Sequence, residues 1–433
     1  MAACAVVGVA GAFALACTPT PNDCAGFTPK PLPEFMFGSA ATDISASQMD
    51  LAPEMGYRWI RVPIRWEHLQ PTVAEKPTLT RTELAAHPEY VEQFAATADW
   101  TTSDTALRNA ARNGLKVVGF VGVTPPRLNG VTLDPASLGT ETYLAEMDLT
   151  TRAIVRRYGR DRVGVPDDIP TVDVWQTENE LNIAPAASLV NWRTPGGFEG
   201  FFSSPWADWG FLTTLLQTLR QAVVQTDPQA VTVVNVNTDS PAPFNVPFGR
   251  PDWPDQVLQW RTLADVVAID TYPNYYLPGP VDGTDVGRDL GVVRDRVCPG
   301  QQYMVMETNY PNGPVARGFT PAKQAQFLQQ AWDSSKAAGT SGFMPFAIGI
   351  SSPDTVVLDA RDTANWDLLG VGLRDGDLGS LGQLFLGDQE WVTTRLADVT
   401  QLVEGRWGLW GPGKVPYPGF DVVRQVAAET AGR

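Results

Sequence analysis

Short apolar runs alternate with longer amphipathic stretches from about residue 34 onward. Runs of about four to eight apolar residues are typical of strands that are buried on both faces. Eight runs of this kind predict eight strands, at Phe35–Ser39, Trp59–Pro63, Lys116–Val123, Val172–Thr177, Val231–Val236, Val266–Asp270, Tyr303–Glu307 and Gly342–Ala347.

Seven amphipathic stretches separate these runs, and an eighth helix is expected after Leu381. Alternating strands and helices indicate the α/β class, and about eight repeats indicate a (β/α)8 TIM barrel. An open doubly wound sheet is the alternative, but no G-x-G-x-x-G opens a helix after the first run. The predicted helices are Ser45–Met55, Thr102–Asn113, Thr140–Tyr158, Trp209–Thr226, Pro254–Leu263, Gly287–Val297 and Pro321–Ala338.

Residues 34–433 are expected to form one barrel domain with long loops after the fourth and eighth strands. The part from about Ser351 is interpreted as a loop-rich region that contains the eighth helix and a closing helix near Phe420–Thr430. A separate small domain in that part is the alternative.

The first 17 residues are typical of an export segment. Ala5 to Ala16 is an unbroken run of small and apolar residues, too short to span a bilayer, although the usual positive charge before it is missing. Ala14-Leu15-Ala16-Cys17 resembles a bacterial lipoprotein cleavage site. We therefore expect a secreted protein or one anchored at the cell surface through a lipidated Cys17, with residues 18–33 as a Pro-rich tether.

Two of the four cysteines, Cys24 and Cys298, lie outside the export segment. Cys24 precedes the first strand and Cys298 lies in the turn before the seventh, so both belong to the N-terminal end of the barrel. In an oxidising compartment we expect them to form a disulfide that attaches the tether to the barrel floor.

The net charge of −16, without any cluster of Lys and Arg, argues against nucleic acids and strongly anionic polymers and favours neutral substrates. The two histidines, His68 and His87, lack the spacing of a metal site. They are also too few for hydrolases that use a Ser-His-Asp or Cys-His arrangement. Carboxylates must then carry the chemistry, and no metal or cofactor is expected. We expect a monomer.

Functional groups of (β/α)8 barrels lie at the C-terminal ends of the strands. The fourth strand continues into Thr177-Glu-Asn-Glu-Leu-Asn182 and the seventh into Glu307-Thr-Asn-Tyr-Pro311, so each carries a Glu where its apolar run stops. Two carboxylates across one barrel mouth are the requirement for glycoside hydrolysis. The alternative is that they are loop carboxylates with structural partners.

The order of these motifs resembles the clan A retaining glycoside hydrolases. Phe35–Ser39, Trp59–Trp66 and Ile269–Pro273 are similar to the first, second and sixth strands of that clan. Asn179-Glu180 resembles its Asn-Glu pair, and Glu307 falls at the position of its nucleophile. The resemblance implies a retaining hydrolase of a β-linked oligo- or polysaccharide.

The resemblance also implies a role for each residue of the site. Glu180 would be the acid/base, with Glu178 as its competitor, and Glu307 would be the nucleophile. Arg61 and Tyr272 would donate hydrogen bonds to Glu307, and Arg65 is the alternative to Arg61. Asn179 would donate a hydrogen bond to a sugar hydroxyl.

A closer but weaker match, over Asp265–Tyr276 and Glu307–Pro311, is to the arabinogalactan endo-β-1,4-galactanases, and it makes Asn309 a candidate substrate-binding residue. Two features depart from the clan: the eighth strand lacks a Trp, and Leu181 stands where several families have Pro. The identity of the sugar is therefore left open.

The loop after the fourth strand is rich in aromatic residues, and we expect it to cover the barrel mouth and stack on sugar rings. The alternative is a hydrophobic cluster that fixes the loop. Transglycosylation and a catalytically silent carbohydrate-binding barrel are further alternatives for the function. The aromatic residues are Trp192, Phe198, Phe201, Phe202, Trp206 and Trp209, of which Trp206 and Trp209 are the candidate substrate-binding pair.

Overall fold

The computed structural model describes residues 4–6, 15–17, 24–40, 46–122, 126–183, 205–239, 250–349, 351, 357–375 and 377–432. Within these ranges eight parallel strands form a closed barrel in which each strand pairs with the next along the chain and the last pairs with the first. The predicted (β/α)8 barrel is confirmed. The strands are β1 Met36–Ala40, β2 Trp59–Pro63, β3 Lys116–Val121, β4 Val174–Thr177, β5 Val231–Asn237, β6 Val266–Asp270, β7 Gln302–Thr308 and β8 Gly342–Pro345.

Helices connect the strands on the outside of the barrel. Three of the predicted helices have the predicted bounds, and the others shift or divide by a few residues. The α-helices before β8 in the described residues are α1 Ala46–Met49, α2 Trp66–Leu69, α3 Arg81–Ala86, α4 Glu89–Thr97, α5 Thr101–Arg112, α6 Pro135–Leu138, α7 Thr140–Tyr158, α8 Trp209–Thr226, α9 Trp253–Trp260, α10 Thr284–Arg294 and α11 Pro321–Ala338.

The described part of the region after β8 is mostly helical rather than loop-rich, and the expected closing helix is present. It forms α12 Ala360–Asp375, α13 Leu378–Gly387, α14 Gln389–Thr394 and α15 Leu396–Glu404, followed by the closing helix α16 Pro418–Thr430. Buried Trp366 of α12 donates to the backbone oxygen of Tyr276 at 2.7 Å. This contact attaches the helices after β8 to the loop after β6.

Inward-facing side chains change from apolar to polar along several strands, of which β5 is an example. Val231 and Val233 of β5 belong to a fully apolar cluster inside the barrel, together with Met304 of β7. Because side chains alternate between the two faces of a strand, Asn235 and Asn237 continue the inward row of β5 toward its C-terminal end. The lower barrel is therefore an apolar core, and the upper barrel is a polar site.

A β-bulge brings two carboxylates side by side. Ile269 pairs with Val305, but the next residue of β6, Asp270, pairs with Glu307, so β7 carries one extra residue, Met306. A bulge of this kind changes the direction of the side chains that follow it. It places Glu307 opposite Asp270 at the barrel mouth.

The segment before β1 lies at the N-terminal end of the barrel. The backbone nitrogen of Lys30 donates to Asp265 at 3.1 Å, just before β6 begins. Cys24 and Cys298 form a disulfide with Cα atoms 5.6 Å apart.

Near the start of the chain, the short strands Cys4–Val6 and Leu15–Cys17 pair in an antiparallel manner. Among the described helices, none is both long enough and apolar enough to cross a membrane.

Candidate active site

A cavity of about 960 Å³ lies at the C-terminal ends of the strands. It is bordered by Arg61 of β2, Asn237 of β5 and Glu307 of β7, by Glu180 after β4, and by Tyr272 after β6. A volume of this size is typical of a small-molecule site. The tertiary structure therefore brings together residues that are far apart in the sequence.

Glu307 is held on both carboxylate oxygens and is only 5% exposed. The guanidinium of Arg61 forms an ion pair with Oε1, and the hydroxyl of Tyr272 donates to Oε2 at 2.7 Å. Burial, followed by the charge of Glu307, raises the pKa of Tyr272 well above its usual range, so that its hydroxyl keeps the proton that it donates. These contacts orient Glu307 and stabilise a negative charge on it.

Glu180 lies across the cavity from this ion pair. Its Oε1 accepts a hydrogen bond from Asn237 Nδ2 at 2.6 Å, and its backbone nitrogen donates to Asn235 Oδ1 at 3.1 Å. Burial of the carboxyl group, followed by the charge of Glu307, raises the pKa of Glu180 to about 8, and the bond from Asn237 opposes this shift. A carboxyl group with this pKa carries a proton at neutral pH.

Glu178, the competitor of Glu180, does not border the cavity. Both residues have positive φ angles, 59° and 47°, so the strand alternation ends after Thr177. The carboxyl group of Glu178 lies against Gly122, where an added Cβ would come within 2.5 Å of its Cδ atom. Of the two residues, Glu180 is the one available to a ligand.

Asn179 is oriented by donors on its amide oxygen. Its Oδ1 accepts hydrogen bonds from Asn235 at 2.7 Å, Arg61 at 3.0 Å and Gln176 at 3.1 Å. Its Nδ2 must then point the other way, and it lies 3.5 Å from Glu180 Oε2. The amide of Asn179 is therefore available as a donor beside Glu180.

Asp270 is a third carboxyl group beside Glu180 and Glu307, and the motifs of the sequence did not single it out. It is fully buried, and its Oδ2 accepts a hydrogen bond from Asn235, whereas its Oδ1 has no hydrogen-bond partner among the described residues. Burial, followed by the charge of Glu307, raises the pKa of Asp270 well above its usual range. The inward alternation of β6 is the signal that could have identified it.

Three carboxyl groups share this site. Glu180, Asp270 and Glu307 each place one oxygen within 4.8 Å of the others. Acidic oxygens at this spacing could hold a divalent cation. Arg61 supplies a positive charge to Glu307, and the raised pKa values of Glu180 and Asp270 favour their neutral forms. Protonation of Glu180 and Asp270, together with the guanidinium of Arg61, thus limits the electrostatic repulsion among the three carboxyl groups.

The structure gives Asn309 a different role from the predicted one. Its side chain is buried, and its Nδ2 donates to the backbone oxygens of Phe346 and Trp407, the latter at 2.9 Å. It does not border the cavity, whereas Phe346 and Trp407 do. Asn309 therefore holds cavity residues in position, and its interpretation as a direct substrate ligand is corrected.

Trp206 and Trp209 also lie away from the cavity lining. Trp206 packs edge-on against Tyr143 and Phe211, and Trp209 stacks on Trp260 with ring centroids 4.3 Å apart. These contacts agree with the alternative of a hydrophobic cluster. Trp192, Phe198, Phe201 and Phe202 lie outside the described residues.

Aromatic residues from the loops after β6 and α15 close one side of the cavity. Trp407 contacts Tyr272, with ring centroids 5.1 Å apart, and also contacts Tyr275 at 5.4 Å. Glu404, at the end of α15, accepts from the hydroxyl of Tyr275 and from Trp407 Nε1, the latter at 3.3 Å. The C-terminal helices thus contribute directly to the site.

No protein-family model and no curated protein matches this chain. Similar solved structures include a GH5_18 variant from Streptomyces cattleya in complex with Manb1-4GlcNAc, at 12% identity and a TM-score of 0.53, with 91% of this chain and 80% of that chain covered. Xylanase 10B from Thermotoga petrophila RKU-1 in complex with xylobiose has 11% identity and a TM-score of 0.51, with 92% and 94% covered.

The exo-beta-1,4-mannosidase Op5Man5 from Opitutaceae bacterium strain TAV5 has 13% identity and a TM-score of 0.52, with 95% of this chain covered. The chain spans only 62% of the length of Op5Man5 and 64% of a family 39 glycoside hydrolase from Bacteroides cellulosilyticus WH2. At such low identities the likeness shows the (β/α)8 fold alone. These relatives do not support the closer resemblance to galactanases.

Proposed function

We propose that this protein is a retaining glycoside hydrolase that cleaves a β-linked glycoside of a neutral sugar, with Glu307 as nucleophile and Glu180 as acid/base. One observation carries the proposal: carboxylate oxygens of the two residues lie within 4.8 Å of each other. Double displacement needs carboxyl groups about 5–5.5 Å apart, whereas an inverting mechanism leaves roughly 6.5–9.5 Å for a water molecule. The short separation favours double displacement.

In the first step, a carboxylate oxygen of Glu307 attacks the anomeric carbon and forms an ester bond to the sugar. The bond from that carbon to the glycosidic oxygen breaks, and Glu180 gives its proton to the departing oxygen. Arg61 and Tyr272, which bind Glu307, orient the attacking carboxylate.

In the second step, a water molecule attacks the same carbon, Glu180 takes its proton, and Glu307 leaves as a carboxylate. The change in role follows from electrostatics. The negative charge of Glu307 contributes to the raised pKa of Glu180, and ester formation removes that charge. The pKa of Glu180 then falls, and its carboxylate acts as the base.

The surroundings of the pair support this assignment. The amide of Asn179 lies 3.5 Å from Glu180 Oε2, where it could donate to the sugar hydroxyl next to the reacting carbon. The xylanase and the mannosidase with similar structures are glycosidases that have the same fold. Secretion and lipidation of Cys17 stay predictions from the sequence.

The test is a panel of p-nitrophenyl β-glycosides, followed by NMR of the first sugar anomer that the active substrate releases. We expect the β anomer to appear first. Glu307→Gln should abolish turnover, because the nucleophile is lost. Glu180→Ala should still carry out the first step on activated aryl glycosides, whose leaving groups need no proton. Added azide should then react with the glycosyl-enzyme and give a β-glycosyl azide.

The matched control is Glu92→Gln, which changes an exposed carboxylate that is paired with Arg156. It should leave kcat/KM unchanged. Release of the α anomer first, or wild-type activity in both active-site variants, would refute the proposed mechanism.

A further inference from the structure

The cavity extends beyond the carboxyl pair along an apolar surface made of four leucines and one phenylalanine. Leu277 follows β6, Leu369 and Leu373 belong to α12, Phe385 to α13 and Leu396 to α15, and all five border the cavity. We call these five residues the apolar wall. Leu277, Leu373 and Phe385 are only half-buried, so they keep apolar surface for a ligand.

One face of α15 shows the direction of the wall. Leu396, Thr400 and Glu404 all border the cavity and are spaced four residues apart, so they share one helix face. At 1.5 Å per residue, Leu396 lies about 12 Å along the axis from Glu404. Glu404 is close enough to Glu180 for its charge to raise the pKa of Glu180. The lining therefore changes from acidic to apolar along this helix.

The loop after β6 follows the same direction. The hydroxyl of Tyr275 donates to Glu404, and the hydroxyl of Tyr276 lies 3.3 Å from Thr400 Oγ1. Leu277 then meets α12 at Gly370, where an added Cβ would come within 2.7 Å of the Leu277 side chain. Two separate segments thus lead from the carboxyl pair to the apolar wall.

This surface is poorly suited to a second sugar ring. A sugar hydroxyl that is pressed against a Leu side chain loses its hydrogen bond to water and gains none in return. Among the charged residues of the lining, Arg288 pairs with Asp285 and Asp289. Arg374 also borders the cavity and follows Leu373 on α12. Aliphatic side chains are stabilised by covering apolar surface instead.

We propose that the substrate is a glycoside whose leaving group is an apolar alcohol or phenol that lies along the apolar wall. In a glycoside, the group beyond the cleaved bond is the part that can be wholly apolar. This inference rests on the proposed function and narrows its substrate from any β-linked glycoside to a sugar with an alkyl or aryl aglycone. Glu180 protonates the oxygen that joins the two parts, and the released alcohol carries that proton.

The experiment compares methyl, butyl and octyl β-glycosides of the sugar that the p-nitrophenyl panel identifies, below the concentration at which octyl glycosides form micelles. We expect kcat/KM to rise at least about tenfold from methyl to octyl, because each buried methylene favours binding. The disaccharide of the same sugar should be a poorer substrate than the octyl glycoside.

The variants Leu373→Ser and Phe385→Ser should each reduce the octyl-to-methyl ratio of kcat/KM toward one. Leu386→Ser is the matched control, because Leu386 is next to Phe385 on α13 but is 74% exposed and is not part of the lining. It should keep the wild-type ratio.

Equal rates for the methyl, butyl and octyl glycosides, or a preference for the disaccharide, would overturn the apolar-wall inference and leave the proposed hydrolysis intact. If no glycoside is hydrolysed, the proposed function fails, and the wall is then tested by calorimetry. Octyl glucoside should bind at least about tenfold more tightly than methyl glucoside, and equal affinities would overturn the inference.

Discussion

The side-chain amide of Asn237 donates a hydrogen bond to Glu180, with 2.6 Å between Nδ2 and Oε1. This bond joins the end of β5 to the residue proposed as acid/base. A hydrogen bond to the charged form of a carboxyl group stabilises that form. This contact therefore moderates a pKa that burial and the charge of Glu307 raise to about 8. It is the structural basis of the first prediction.

The pH profile should lose activity on its basic side as Glu180 is deprotonated. Since the acid must carry a proton, kcat/KM on an unactivated alkyl glycoside should fall as the pH rises through about 8. Asn237→Ala removes the bond that lowers the pKa of Glu180, so the basic limb should move to higher pH. A limb that moves to lower pH, or that stays in place, would contradict this assignment.

Tyr272→Phe should reduce kcat/KM by about 10- to 100-fold, the effect of losing one hydrogen bond to a charged group. The lost bond is the 2.7 Å contact with Glu307 Oε2. Steady-state kinetics checks the prediction. Tyr303→Phe is the control. Tyr303 lies at the start of β7, at the end of the barrel opposite the cavity, and its hydroxyl donates to the backbone oxygen of Ala338.

Asp270→Asn should keep kcat/KM within about tenfold of the wild type. The raised pKa of Asp270 favours a neutral carboxyl group, which an amide imitates in size and charge. Asp270→Ala should instead lower the free energy of unfolding by about 1–3 kcal/mol, because Asn235 Nδ2 loses one of its two acceptors and keeps only Asn179 Oδ1. Urea unfolding and kinetics measure both effects. Equal loss of activity in the two variants would indicate that Asp270 acts as a charged group.

Cys24→Ser and Cys298→Ser should each lower the free energy of unfolding by about 3–5 kcal/mol, since the bond closes a loop of 274 residues. Activity at a temperature where both forms are folded should not change, because the disulfide is at the end of the barrel opposite the cavity. Thermal unfolding with and without reductant provides the measurement. The double variant should match each single one, and an unchanged Tm would show that the bond does not constrain the chain.

The pattern of the sequence determined the barrel and the ends of its strands. The eight apolar runs and the helices between them are local features, so they can be predicted from the order of apolar and polar residues alone. The same pattern indicated Glu307 at the end of the seventh strand, and resemblance added Glu180, Arg61 and Tyr272. The structure brings these four side chains to one cavity.

Only the tertiary structure decided how the site is completed. The bulge at Met306 sets Asp270 beside Glu307, and a shift of one residue between strands leaves no mark on the apolar pattern. Asn309 and Trp206 have the residue types of sugar ligands, yet their contacts make them part of the packing. The apolar wall joins segments about 100 residues apart, such as Leu277 and Leu373, and such proximity depends on packing that no local pattern records.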